Sequence, residues 1–508
     1  MRWYAALGLL AIAGCNEIWG LSRDVDLRDS GFDPAFPRVR LNAQITLTKP
    51  GGYADPVLAY GPLDPAPEVK IGPLDGPLEP AVYETEGTVR YPVAFTGTTW
   101  RLVYTLADGI PREVQWSPPE GDLVGHLVEP LFGRVDRKPV PAGGGYTITA
   151  IDSPAQHTSS RVFTTGIWTE GAVALPPAGA TFDYDFSQKA VSLSGPIGAP
   201  EKDRGDHAVL VDFQNASGCR HATGVAAFVV PDMTPNGLTA PDPQPQYYGA
   251  GVSVDLTLGS PSPIESRLQE VLGARFAGAT LRRMAYGYVP SLDVSGFSRP
   301  VPVTAFEFYL PGPLMLTFLT CTLPSPQPPV VFADPPELRV RFPHVVHVEV
   351  ANQRMLGNIT LTSGFSAVVT SNTYAFTSDF LVAAPTKLTL HRGAGSLDLD
   401  KGADGSVLPA GTDPLELRFD VESDPDLASH SFEVTLHEVM NDQLEQRRIF
   451  IVAERKVRID PSLLAPGREY VFEVRAYSSR PGAMRADFSV HTYPQYAATI
   501  FSRTFKTP

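Results

Sequence analysis

The residues best suited to chemistry in this chain are its cysteines, and there are only three in 508 residues: Cys15, Cys219 and Cys321. A thiol can be acylated, oxidised to a disulfide or used as a metal ligand. Cys15 closes a short apolar run and follows two small residues, Ala13 and Gly14. Cys219 and Cys321 then remain as an even pair. In an oxidising compartment such a pair often joins, provided the two Cα atoms lie within about 7 Å. The alternative is two buried free thiols. A metal centre needs more ligands than these: Cys219 and His221 stand two apart, but no CxxC and no second local pair has zinc-ligand spacing.

Other constellations are weaker. Acyl transfer at a nucleophile elbow needs GxSxG, because only small neighbours permit that turn. None occurs; Ser298 and Ser366 follow Gly-Phe but lack the second glycine. Neither HExxH nor GxxxxGK[ST] is present. His344 and His347 are three apart in an extended segment, so they fall on opposite faces of a strand and do not share a metal. Asp398, Asp400 and Asp404 resemble part of a calcium loop, since hard cations want clustered oxygens. The closing glutamate is missing, and a solvated connection is the plainer reading. Arg204, Gly205 and Asp206 spell RGD, which binds integrins in animal adhesion proteins when displayed on a loop tip; chance recurrence explains it more simply. Tyr247 and Tyr248 in a Pro-rich loop could stack on a sugar ring or peptide, or pack on their own sheet.

The amino terminus carries the clearest pattern. Arg2 is followed by Leu7, Leu9, Leu10 and Ile12, an apolar run of about ten residues. A membrane-spanning helix needs roughly 20. Ile12, Ala13, Gly14 and Cys15 resemble the lipobox of bacterial lipoproteins. That resemblance implies a signal peptide over residues 1–14, cleavage before Cys15 and acylation of its thiol, with the acyl chains as a membrane anchor. Asn16 rather than Asp at the next position implies, by the same resemblance, the outer membrane over the inner one, so the expected location is the outer membrane, on its periplasmic face or at the cell surface. Residues 15–37 mix charge with turn formers and read as a tether.

The elements that must position the other residues are strands. The chain has 50 prolines, about twice the usual share, 44 glycines and only 19% charged residues. With 10% aromatics it is not a disordered composition. Short apolar alternations between turn formers indicate an all-β protein, a string of immunoglobulin- or fibronectin-like sandwiches. Alternation is clear at Val39–Leu47, Trp100–Leu106, Leu415–Val421, Phe432–Leu436 and Tyr470–Ala476. Between residues 50 and 82, three GPL units at Gly61, Gly72 and Gly76 favour turns over central strands. One helix is expected, over 264–272 behind Pro263. The resulting division is 38–119, a β-sandwich-like domain; 120–323, a central mostly-β domain; 324–385, a Pro-rich linker with a short β segment; and 386–508. In the last of these, Leu464, Pro466, Gly467, Tyr470, Phe472, Val474 and Ala476 resemble the corner and sixth strand of fibronectin type III domains. The resemblance implies that the Tyr470 hydroxyl bonds the backbone upstream. The family's core tryptophan is missing, and Phe419 stands in its place.

Net charge is −14, which disfavours nucleic acid as a partner. No cofactor is implied. The leading expectation is a non-catalytic, lipid-anchored protein with a binding or spacer role toward a protein or glycan. An exported hydrolase with a site in the central region, or a glycan-binding surface protein, are the alternatives.

Overall fold

Alternating apolar residues become strands along most of the chain. The structure, a computed structural model, describes residues 39–249 with gaps at several connections, strands within 252–370, and 380–508 apart from 425, 479–482 and 484–494. It is all-β, in several sheets. The one α-helix among the described residues is α1 (Phe186–Lys189), capped by the Asp185 carboxylate accepting from the Gln188 N–H. The helix expected at 264–272 lies outside the described residues.

The first strands are β1 (Val39–Leu47), β2 (Val57–Pro62), β3 (Glu68–Pro73), β4 (Glu79–Tyr83), β5 (Thr88–Arg90), β6 (Trp100–Thr105), β7 (Pro111–Trp116) and β8 (Leu123–Leu127). The GPL stretch therefore holds strands as well as the expected turn, which falls at Leu74–Gly76 between β3 and β4. Pro62 and Pro73 each end a strand, where a missing N–H disturbs the ladder least. Gly72 is needed for space: a Cβ there would lie 2.1 Å from the Pro77 carbonyl oxygen. Trp100, Leu102, Tyr104, Val114 and Trp116 form the core of this region, together with Val39 and Leu41.

The central strands are β9 (Gly145–Thr149), β10 (Ser159–Thr164), β11 (Thr169–Val173), β12 (Thr181–Asp185), β13 (Val191–Ser192), β14 (His207–Ala216), β15 (Cys219–Val229), β16 (Leu238–Thr239), β17 (Tyr248–Gly249) and β18 (Val252–Val254). The small sheet β12–β9–β16 covers one face of β10–β14–β15 with Tyr146, Ile148 and Tyr184. The other face sends Val209, Val211, Phe213 and Val225 into the carboxy-terminal core. Burial on both faces accounts for the unbroken apolar run Ala208–Val211, which alternation alone would not produce. Next come β19 (Thr280–Tyr288), β20 (Leu316–Cys321), β21 (Val330–Phe332) and the long hairpin β22 (His344–Leu356) with β23 (Ile359–Thr370).

The last region contains β24 (Pro385–Arg392), β25 (Gly395–Asp398), β26 (Ser406–Val407), β27 (Leu415–Val421), β28 (Ser431–Met440), β29 (Gln443–Val452), β30 (Lys456–Ile459), β31 (Glu469–Tyr477), β32 (Gln495–Phe501) and β33 (Phe505–Lys506). Sheet β25–β24–β27–β30 packs over β29–β28–β31–β32, and Leu388, Leu390, Leu417, Phe419, Phe432, Val434, Phe472 and Val474 fill the space between. Each such side chain contributes roughly 1.5–3 kcal/mol on burial. The β28–β29 turn is Asn441–Asp442, both at positive φ, as a two-residue hairpin of matching twist requires.

Both edges of that second sheet are extended by strands from elsewhere in the chain. β29 pairs in parallel with β7, with Ile449 opposite Arg112 and Val452 opposite Gln115. β32 pairs with β23, and the ladder then runs through β22, β19 and β20 to β15. One hydrogen-bonded surface thus connects all three regions. Gln115 ties β7 to β30 as well: its side-chain amide donates to the Arg458 carbonyl at 2.6 Å, and its Oε1 accepts the Arg458 N–H at 3.0 Å.

Candidate functional site

Cys15, the tether, Ser298 and Tyr247 lie outside the described residues, and Tyr248 is described in backbone only, in β17. His344 and His347 sit in β22 opposite Tyr288 and Ala285, three residues apart and so on opposite faces. Ser366 is buried in the middle of β23, with no strand-turn-helix around it. Asp206 of the RGD tripeptide is fully buried, and its Oδ2 accepts the Glu201 N–H at 2.8 Å. It is therefore not displayed. Among the described residues no group of three or more His, Cys, Asp or Glu could hold a metal ion.

The acidic loop separates into two structural devices. Asp398 Oδ1 accepts the N–H groups of Asp400 and Lys401, each at 2.8 Å, closing a turn. Asp404 faces the other way, into the junction with the last strands. Its Oδ2 accepts from Arg354 Nη1 at 2.6 Å and Arg503 Nη1 at 3.0 Å, and its Oδ1 accepts the Thr504 N–H at 2.9 Å. Arg354 reaches on to the Ser502 carbonyl at 2.8 Å. Burial works against the charged form of Asp404, but the donors from Arg354, Thr504 and Arg503 outweigh it and hold the carboxyl below its ordinary value. Two guanidinium groups already neutralise this carboxylate, so it is no calcium ligand.

A second cluster went unread in the sequence. On the non-core face of β28 and β31, Glu433, Thr435, His437, Glu473 and Arg475 are all buried. Arg475 Nη2 donates to Glu473 Oε1 at 2.7 Å, and its Nη1 lies 3.7 Å from Glu433 Oε1. His437 Nε2 meets Glu473 Oε2 at 3.1 Å. Burial would raise the Glu473 pKa, but the Arg475 charge and the His437 hydrogen bond prevail and keep it low. A His–Glu pair with a neighbouring arginine could move protons. Here the two side chains are only 4% and 3% exposed, so a substrate has no route to them. The arrangement acts as a buried electrostatic tie between neighbouring strands. Its local signal was misleading: Phe432, Val434 and Leu436 alternate with Glu433, Thr435 and His437 as on a half-exposed strand, and nothing nearby announces that the polar face is covered too.

The corner near Pro466 behaves as expected. Tyr470 is fully buried, and its hydroxyl oxygen accepts the Ala465 N–H at 2.8 Å. At the other end of the same region, a groove of about 440 Å³ is lined by Lys387, Asp420, Glu422, Asp424, Ser429 and Arg455. Much of its polar lining is engaged in holding the β24–β27 edge: Lys387 pairs with Asp420 at 2.9 Å, Glu422 Oε2 accepts the Ala384 N–H, and Ser429 donates to the Ala383 carbonyl. Compared with protein-family models and with curated proteins, the chain matches none.

Proposed function

We propose that this protein is a non-catalytic, lipid-anchored envelope or cell-surface scaffold, whose β-domains hold a binding or spacer surface away from the membrane. The observation that carries the reading is the hydrogen-bonded continuity from β7 through β29 and β32 to β15, which suits a rigid spacer. Its carboxy-terminal part is read as fibronectin type III-like. In support, β29–β28–β31–β32 faces β24–β27–β30, and the Tyr470 hydroxyl reaches back to Ala465. Such domains serve as spacers or binding modules, and the fold by itself implies no chemistry. The chemistry-bearing carboxylates Asp206, Asp404 and Glu473 are each committed to internal bonds.

The anchor rests on Cys15 and the apolar run before it. Several acyl chains on one residue hold a protein firmly, at about 0.8 kcal/mol per buried CH₂. Metabolic labelling with a fatty acid, followed by detergent phase partitioning, tests it. The wild-type chain is expected to take label and enter the detergent phase, and Cys15→Ala to do neither. Unchanged labelling in the variant overturns the anchor.

A further inference from the structure

We propose that Cys219 and Cys321 form a disulfide that staples a short joint of the sheet. Cys219 opens β15 and Cys321 ends β20, and in the antiparallel ladder between these strands the two stand directly opposite each other. Opposite residues of an antiparallel pair share a face, with Cα atoms about 4.5 or 5.5 Å apart depending on the hydrogen-bonding position. Both spacings fall within the roughly 4.4–6.8 Å that a disulfide spans. A slip of one residue would have put them on opposite faces. Of the three cysteines in the chain, two far apart in sequence meet in one register position.

The position matters as much as the geometry. The β15–β20 ladder has three residue pairs: Cys219 with Cys321, Arg220 with Thr320, and His221 with Leu319. Its neighbour β14–β15 runs over ten, and β22–β23 over twelve. Among the described residues, β15–β20 is also the strand pairing through which β10, β11 and β14 connect to the remainder of the surface. Three backbone pairs hold such a joint weakly, and a covalent link at the end of the ladder prevents it from fraying.

The bridge forms by thiol–disulfide exchange. One thiolate attacks the disulfide of an oxidant, a dithiol–disulfide protein or oxidised glutathione, giving a mixed disulfide and releasing one oxidant thiolate. The second cysteine thiolate then displaces the remaining oxidant sulfur. Two electrons and two protons leave the chain, and the oxidant departs as thiols. An oxidising setting in the cell rests on the export reading above, so the test supplies the oxidant itself.

The full chain carrying Cys15→Ala, which removes the third thiol, is refolded in oxidised and reduced glutathione, quenched and unfolded without reductant. Maleimide addition is followed by intact mass. No adduct is expected before reduction and two after it. Cyanogen bromide then cuts at Met233, Met284 and Met315, all between the two cysteines. The fragment ending at Met233 should stay joined to the fragment 316–355 until reductant is added. Two maleimide adducts without reductant, or fragments that separate at once, overturn the bridge. Its stapling role has its own readout. Reductant should lower the thermal midpoint of the oxidised chain but not that of the Cys219→Ser, Cys321→Ser chain; an equal shift in both refutes it. Because oxidation is done in vitro, a chain that bridges here but proves not to be exported leaves the disulfide standing and removes only the localisation.

Discussion

Replacing Asp404 tests most directly whether the acidic loop is a clasp or a cation site. In Asp404→Ala, Arg354 loses its carboxylate partner while its side chain, only 8% exposed, keeps the Ser502 carbonyl as its remaining described acceptor. Breaking a buried ion pair from one side costs about 3–5 kcal/mol. Asp404 itself is 31% exposed and Arg503 24%, so water recovers part of the loss, and about 2–3 kcal/mol is expected. Asp404→Asn keeps an acceptor for one donor and should lose about half as much. The pH dependence follows from the lowered carboxyl. Its stabilisation is fully present above the unfolded value, near 3.8, and is lost as pH falls through the lower folded value. Wild-type and alanine chains should therefore differ above pH ~4 and converge in stronger acid. Urea unfolding followed by far-ultraviolet circular dichroism measures the difference. A change below about 0.5 kcal/mol, the range of ordinary surface substitutions, would refute the clasp. So would a wild-type midpoint that rises with calcium and falls on chelation.

Tyr470→Phe removes the acceptor of the Ala465 N–H. Because Ala465 is exposed and water can replace the hydroxyl, a loss of about 1 kcal/mol is expected by the same urea method. Arg475→Met takes the guanidinium from buried Glu473, leaving it the His437 bond, and should cost about 3 kcal/mol at neutral pH. The loss should shrink as acid protonates the Glu473 carboxylate, so a deficit that stays flat from pH 7 to pH 4 refutes the electrostatic tie. Gln115→Ala removes both bonds to the Arg458 backbone across the β7 junction. It should speed amide exchange at Arg458, whose N–H loses its acceptor, while the β7–β29 ladder remains; exchange there unchanged from wild type would count against this tie.

Single strands were legible wherever one face met a core and the other did not. Leu415–Val421 reads directly from its sequence, and its buried residues Leu415, Leu417 and Phe419 are the alternating apolar ones. The Tyr470 corner was legible for a related reason: the bond spans five residues, so the sequence contains both partners. β29 escaped because Gln443 to Arg448 is polar apart from Leu444; its place is set by β28 beside it and by β7, far away in sequence. The clasp around Asp404, expected as a solvated connection, was not legible because its partners Arg354 and Arg503 lie 50 and 99 residues away. Cys219 and Cys321 could be paired on paper, but only strand register brings them opposite each other.

The junction between β7 and β29 gives the chain a history as well as a shape. Glu113 and Arg448, which meet there, are 335 residues apart. At roughly 5–20 residues per second of synthesis, β7 waits on the order of 20–70 seconds for its second neighbour to be made. Through that interval one edge of Pro111–Trp116 offers unsatisfied N–H and C=O groups beside Trp100 and Trp116, the kind of edge that recruits strands from other chains. A nascent or truncated chain ending before Ile449 is therefore a different molecule from the finished one, prone to self-association rather than merely shorter. Its yield should depend on whatever holds that edge apart until the carboxy-terminal strands arrive.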